Sequence, residues 1–306
     1  MVINIRRILV PTDFSETSNH AIDKASRIAS LFGAELYIIH VMESSPYKLI
    51  KTDDPKSKEK VVLQKYVMDK LEGITQRITE QYHITVNTLL GEAKVVEVID
   101  DAVKENKIDL IVMGTRGASG IREVLIGSNA QKIVNGSACP VITLKNSPVN
   151  FDMSNVVLPM ESWNNSIEKL DYVTSFARNY KANVHLLGII ESRKRADMRK
   201  VLTLLNEAES YLKEHNIPSV RKIIASENVA KETLEYAQEI KANLIMVLTE
   251  RESRIGSVLA GVFARHIINH SEIPVMSIKP AMYHAEKVTL KKQPVHNRKE
   301  HSNINR

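Results

Sequence analysis

Residues 114–129 read GTRGASGIREVLIGSN, and their glycines are the part of the chain best suited to chemistry. Two residues separate Gly114 from Gly117, and nine separate Gly117 from Gly127. A residue without a Cβ lets backbone N–H groups approach an anion closely and form a concave nest. Gly127-Ser128-Asn129 leads into a segment with helical spacing, whose first N–H groups and dipole favour a phosphate. Ser128 adds a hydroxyl and Arg116 a positive charge. The same glycines also suit a plain flexible turn, so their place in the fold has to decide between the two.

Ile8-Leu9-Val10 is a short apolar run ending in Pro11-Thr12-Asp13. Ala21, Ala25, Ile28, Ala29 and Phe32 then fall on one helical face, with Ser15 and Ser18 as available caps and Gly33 as the stop. A strand follows at Leu36–Val41, then a polar stretch over Ser44–Lys60. Val67, Leu71, Ile74, Ile78 and Tyr82 mark a second helix, and Ile84–Leu90 alternates as a strand. Val95, Ile99 and Ala102 mark a third helix before the buried strand Leu110–Met113. A helix around Ala130–Val134 and the strand Pro140–Leu144 close the unit. The order βαβαβαβαβ predicts a mainly parallel sheet covered by helices on both faces.

The pattern is then written again. Val156-Val157-Leu158-Pro159 answers Ile8 to Pro11, and Tyr180-Lys181-Ala182 answers Phe32-Gly33-Ala34, both at an offset of 148. Asn243–Val247 answers Asp109–Met113, and Ile273-Pro274-Val275 answers Cys139-Pro140-Val141, both at 134. Two constant offsets imply an internal duplication. The expected organisation is an α/β chain of two tandem doubly wound domains, 1–147 and 152–281, each with a five-stranded parallel sheet, followed by a disordered basic tail, 282–306. The strands 140–144 and 274–278 each begin with proline and then run apolar, so each is a sticky edge if left bare. Their mutual pairing as an internal pseudo-dimer is the expected solution.

With the strand order 3-2-1-4-5, Thr12-Asp13 and the 114–129 loop flank the switch point where open α/β sheets bind ligands. Asp13 can accept hydrogen bonds from a ribose there, or cap the first helix, or do both; the backbone around Val41 can face a base. Val10-Pro11-Thr12-Asp13, Gly114-x2-Gly117-x9-Gly127-Ser128 and Cys139-Pro140-Val141 together resemble the ATP-binding branch of the universal stress proteins. The resemblance covers roughly 1–145 with its full motif and 155–280 with the fold pattern alone. It implies ATP, with or without Mg2+, in a site built from Pro11, Thr12, Asp13, Val41, Gly114, Arg116, Gly117, Gly127, Ser128 and Asn129. It also implies a nucleotide-responsive regulator of the stress response, with slow ATP hydrolysis, autophosphorylation or a protein-binding scaffold as the alternatives, and with protein partners and further oligomerisation left open.

The second half departs from this motif. Glu161 stands for Asp13, Leu248 for Gly114, Arg251 for Gly117 and Val262 for Ser128, with Gly261 alone matching Gly127. Side chains of that size crowd a cradle built for glycine, so no nucleotide is expected there.

Other functions find little support. No GxxxxGK[ST], GxGxxG or GxSxG sequence is present, and no general base is identifiable. His266 and His270 have helical spacing without a third ligand, and Cys139, the only cysteine, reads as a packing residue in a reducing, cytoplasmic setting. Trp163 falls in the first loop of the second half, as an edge cap or a local packing residue. The aromatic share of 5% leaves the core to Ile, Leu, Val and Ala. No run approaches the roughly 18–20 apolar residues of a membrane helix, and the N-terminal apolar stretch is too short for a signal peptide. The net charge of +6 suggests nucleic acid only until it is located. Residues 282–306 hold six Lys or Arg against two Glu, a net +4, which leaves +2 for the rest and no basic face. Deleting 282–306 should therefore leave the melting temperature and ATP affinity unchanged within error; a large loss of either would mean that the tail docks.

Overall fold

The computed structural model describes residues 3–42, 58–115, 126–145, 152–161, 166–190, 195–249 and 257–279. Arg116, Gly117, Trp163, Arg251 and the 282–306 tail lie outside them.

The first half contains β1 (Arg7–Thr12), α1 (Glu16–Phe32), β2 (Glu35–Val41), α2 (Lys58–Tyr82), β3 (Val86–Gly91), α3 (Val95–Glu105), β4 (Leu110–Gly114), α4 (Ser128–Gly136) and β5 (Val141–Leu144). The second contains β6 (Asn155–Glu161), a 3-10 turn (Ser166–Lys169), α5 (Leu170–Tyr180), β7 (Asn183–Ile190), α6 (Arg195–Glu214), β8 (Ser219–Ala225), α7 (Val229–Glu239), β9 (Leu244–Leu248), α8 (Ser257–His270) and β10 (Val275–Ile278). The stretch expected as a loop over Ser44–Lys60 ends earlier, because Lys58–Lys60 already belong to α2.

All ten strands form one sheet in the order β3-β2-β1-β4-β5-β10-β9-β6-β7-β8. Each half thus has the order 3-2-1-4-5, parallel throughout, and the second runs as its mirror in sequence of strands. The join is antiparallel, with Val275 opposite Thr143, Met276 opposite Ile142 and Ser277 opposite Val141. The apolar edges β5 and β10 therefore cover each other, as their composition requires.

Alternation along the strands builds two continuous cores. Ile8, Val10, Leu110, Val112, Ile142, Met276 and Leu158 face the layer of α1, α2, α5 and α6. Leu9, Ile111, Val141, Val275 and Val157 face the layer of α3, α4, α7 and α8. Both cores run across the join. Further contacts tie the halves on each side of the sheet. Phe32 of α1 meets Phe176 of α5 with ring centroids 5.2 Å apart, and the Ser175 hydroxyl donates to the Ile3 carbonyl at 2.6 Å. On the opposite side the Ile126 N–H donates to Asn269 Oδ1 at 3.4 Å.

Helix ends follow the expected chemistry where it matters for the site. Ser15 caps α1, its hydroxyl accepting from the Ser18 N–H at 3.2 Å. Gly33 ends that helix with φ 63°, a left-handed conformation that suits a residue without a Cβ. Lys181 holds the same place after α5 with φ 52°, at the steric cost of a side chain in that region.

Ile142 is fully buried opposite Met276 at the join. Ile142→Val should cost about 1 kcal/mol. Ile142→Lys should cost roughly 3–5 kcal/mol, by burying an unpaired charge, and should split one urea transition into two. A single transition with an unchanged midpoint would refute the role given to this strand pair.

Candidate functional site

β1 and β4 are hydrogen-bonded neighbours only at Ile8–Leu110 and Leu9–Ile111, and beyond those pairs they diverge. The C-terminal ends of both strands open onto a cleft of about 270 Å3. Pro11, Thr12, Asp13, Val41, Gly114, Gly127, Ser128 and Asn129 all line it. Eight of the ten residues singled out in sequence are thus brought together, and Arg116 and Gly117 are the two outside the description. Ser18, Ile39, Val95, Met113, Thr115 and Ala130 complete the lining. Sequence reasoning had assigned Val95 and Met113 to elements but not to the site, because an apolar periodicity does not say which end of a strand is open.

The two walls differ in kind. Ile39, Val41, Val95 and Met113 supply an apolar side. The other is polar: Gly127 is the N-cap of α4 and, having no side chain, caps none of the opening N–H groups of that helix. The first helical bond is Gln131 N–H to the Gly127 carbonyl at 2.9 Å. Asp13 is exposed at the rim. Its Oδ1 accepts from the Ser15 N–H at 3.0 Å, which braces the turn, while Ser15 itself caps α1. The cap reading of Asp13 is therefore replaced by a tighter local turn, and the carboxylate still reaches the cleft. Asp13 is the only ionisable side chain of the lining among the described residues.

Gly114 and Gly127 owe their small size to packing in two different ways. A Cβ on Gly114 would lie 2.6 Å from Thr17 Cγ2, so glycine there lets α1 close down on the end of β4. A Cβ on Gly127 would lie 3.3 Å from the Thr115 carbonyl, which accepts the Gly127 N–H at 2.9 Å. Neither needs a left-handed backbone, since the only glycine at positive φ among the described residues is Gly33.

Beneath Asp13 lies a support that the sequence reading missed. His40, buried in β2, donates from Nδ1 to the Thr12 carbonyl at 2.8 Å. Burial lowers its pKa, opposed by the Thr12 bond and by Asp13, which keeps the ring neutral near pH 7. Phe14 stacks on it at 4.5 Å, with φ 62°, and Lys70 Nζ lies 5.2 Å from the Phe14 ring centre. Thr12 Oγ1 accepts from the Phe14 N–H and meets Ser18 Oγ, both at 3.0 Å. A histidine ending an apolar strand beside the motif was the available signal.

Elsewhere the Cys139 thiol is pushed up to about 12, chiefly by burial, and is inert as a nucleophile. The rings of His266 and His270 lie tilted with centroids 4.3 Å apart, and no group of three metal-ligand side chains gathers among the described residues. Among those residues no helix is long and apolar enough to cross a membrane.

A model of the universal stress protein family matches residues 4–145 and 153–279. A universal stress protein of Methanocaldococcus jannaschii is 30% identical over 140 residues, spanning 46% of this chain and 82% of its own length. A second from that organism is 26% identical over 159 residues, or 47% of this chain and 98% of its own. The crystal structure of a universal stress protein from Archaeoglobus fulgidus superimposes with a TM-score of 0.72 at 20% identity, covering 90% of this chain and 99% of its own, a likeness of fold.

Gly114→Ala should cost roughly 1–3 kcal/mol by overpacking against Thr17, measured by urea unfolding. Adding Thr17→Ser, which removes the obstructing methyl, should restore most of it. A Gly114→Ala variant as stable as the parent would show that the close approach of α1 is not what requires glycine.

Proposed function

We propose that this chain, which belongs to the universal stress protein family, binds one ATP in the cleft of its first half (residues 1–147) and acts as a nucleotide-responsive regulator of the stress response in the cytoplasm. The observation that carries this is the convergence of Asp13, Gly127, Ser128 and Asn129 on one cleft at the switch point, with the open N-terminus of α4 as its floor. The volume of about 270 Å3 falls just below the roughly 300–1,000 Å3 usual for small-molecule sites. The base would lie against Ile39, Val41 and Val95, and the ribose hydroxyls would donate to Asp13. The phosphates would sit on the N–H groups of Ser128, Asn129 and Ala130 and on the Ser128 hydroxyl, with Arg116 and Gly117 joining from the adjoining loop. Mg2+, where it enters, would be held mainly by phosphate oxygens and water, since Asp13 is the only carboxylate of the lining among the described residues.

That same lining favours a binding role over fast turnover. A phosphate at α4 has no second carboxylate, histidine or lysine of the described lining beside it to take up or supply a proton. The second half (152–281) presents Leu248 and Val262 where the first presents Gly114 and Ser128, and it would serve as the fixed partner across the β5–β10 join.

Calorimetry should give one ATP per chain, and Gly117→Arg, which places in the first half the residue type the second carries at Arg251, should abolish binding. Two equivalent sites, or unaltered affinity in Gly117→Arg, would contradict this reading.

A further inference from the structure

The second half repeats the divergence of strands at the switch point. β6 and β9 pair only at Val156–Leu244 and Val157–Ile245, as β1 and β4 do. The residues at the end of β6 that answer Pro11 and Asp13 are Pro159 and Glu161, yet Glu161 is buried at 1% exposure whereas Asp13 is exposed. Against it lies Lys169, at 0% exposure. Its ammonium pairs with Glu161 Oε2 at 3.2 Å and donates to the Pro159 carbonyl.

A local change of helix start makes this possible. α1 begins at Glu16, whose counterpart at offset 148 is residue 164, but α5 begins only at Leu170. The intervening 3-10 turn, Ser166–Lys169, packs against β6, β9 and α6. The counterpart of Lys169 is Ala21, a buried core residue of α1 that has no side chain to reach the strand end. Lys169 is the N-cap of α5, where a positive charge opposes the helix dipole, so helix stability does not account for it. Burial lowers the pKa of the Lys169 amine, and the charge and hydrogen bond of Glu161 work against that shift.

We propose that Pro159 and Glu161 form a primary-ammonium site at the second strand-end crevice, and that Lys169 is its built-in occupant. The crevice is cation-selective by construction, with one carbonyl and one carboxylate as acceptors. It is closed to phosphates by the charge of Glu161 and by the side chain that fills it. The inference goes beyond the functional reading above, because it holds whatever the first cleft binds.

The test uses the full chain with Lys169→Ala and thermal unfolding in n-propylammonium, tetramethylammonium and sodium chloride at matched ionic strength. The variant should melt roughly 10 °C below the parent, because one partner of a buried pair is lost. Propylammonium should recover a saturable part of that loss, tetramethylammonium and sodium should not, and the parent should show no such dependence. Melting like the parent, no recovery, or equal stabilisation of both proteins would overturn the proposal. Should Lys169→Ala not fold, Lys169→Met is compared with Lys169→Met/Glu161→Gln. The double variant must melt higher, since the amide at 161 carries no charge to be balanced; a double no better than the single overturns the proposal as well.

Discussion

The antiparallel pairing of β5 with β10 is the constraint on which the rest of the molecule depends. Each is a four-residue, fully buried strand at what would otherwise be the end of a sheet. An apolar edge with free N–H and C=O groups invites uncontrolled pairing, and here each edge is the other's cover. Once they pair, the two sheets become one and both helical layers become continuous. Ile142 and Met276 share one core, and Val141 and Val275 share the other. Lys145, its side chain only 5% exposed, adds an ion pair to Glu272 at 3.1 Å beside the join. The carboxylate is half exposed, so this contact orients more than it stabilises.

A duplicated α/β fold also duplicates its crevice, because the crevice comes from strand order. Parallel strands whose crossovers leave in opposite directions must separate at their C-terminal ends. The chain meets this twice and resolves it in two ways. In the first half α1 starts three residues beyond the strand, glycine at 114 lets it approach, and the strand end stays open with Asp13 at its rim. In the second half the helix starts later, and the turn before it delivers Lys169 into the strand end. Removing one partner of a buried ion pair is strongly destabilising, so Glu161 and Lys169 depend on each other.

The first cleft is held in shape from below. His40, neutral through burial, bonds the Thr12 carbonyl, and Phe14 closes over its ring. The left-handed φ of Phe14 is strain that this packing over-determines, in the short turn between β1 and α1.

The sequence by itself determined the class of fold, the duplication and eight of the residues that line the first cleft. Apolar periods of two and of 3.6 identify strands and helices locally, and the two offsets identify the repeat. Glycines and Asp13 at strand ends then follow from the strand order. Tertiary structure alone decided the rest. The reason for Gly114 is a methyl of Thr17, ninety-seven positions away in the chain, which no local pattern carries. Leu248 and Val262 showed that the second motif is lost. They did not show that Lys169, aligned with an alanine in the first half, fills the vacated strand end. That outcome turned on where one helix begins, and helix starts are set by a competition between capping, packing and charge that becomes definite only when the strand end, the neighbouring helix and the buried carboxylate are all in place.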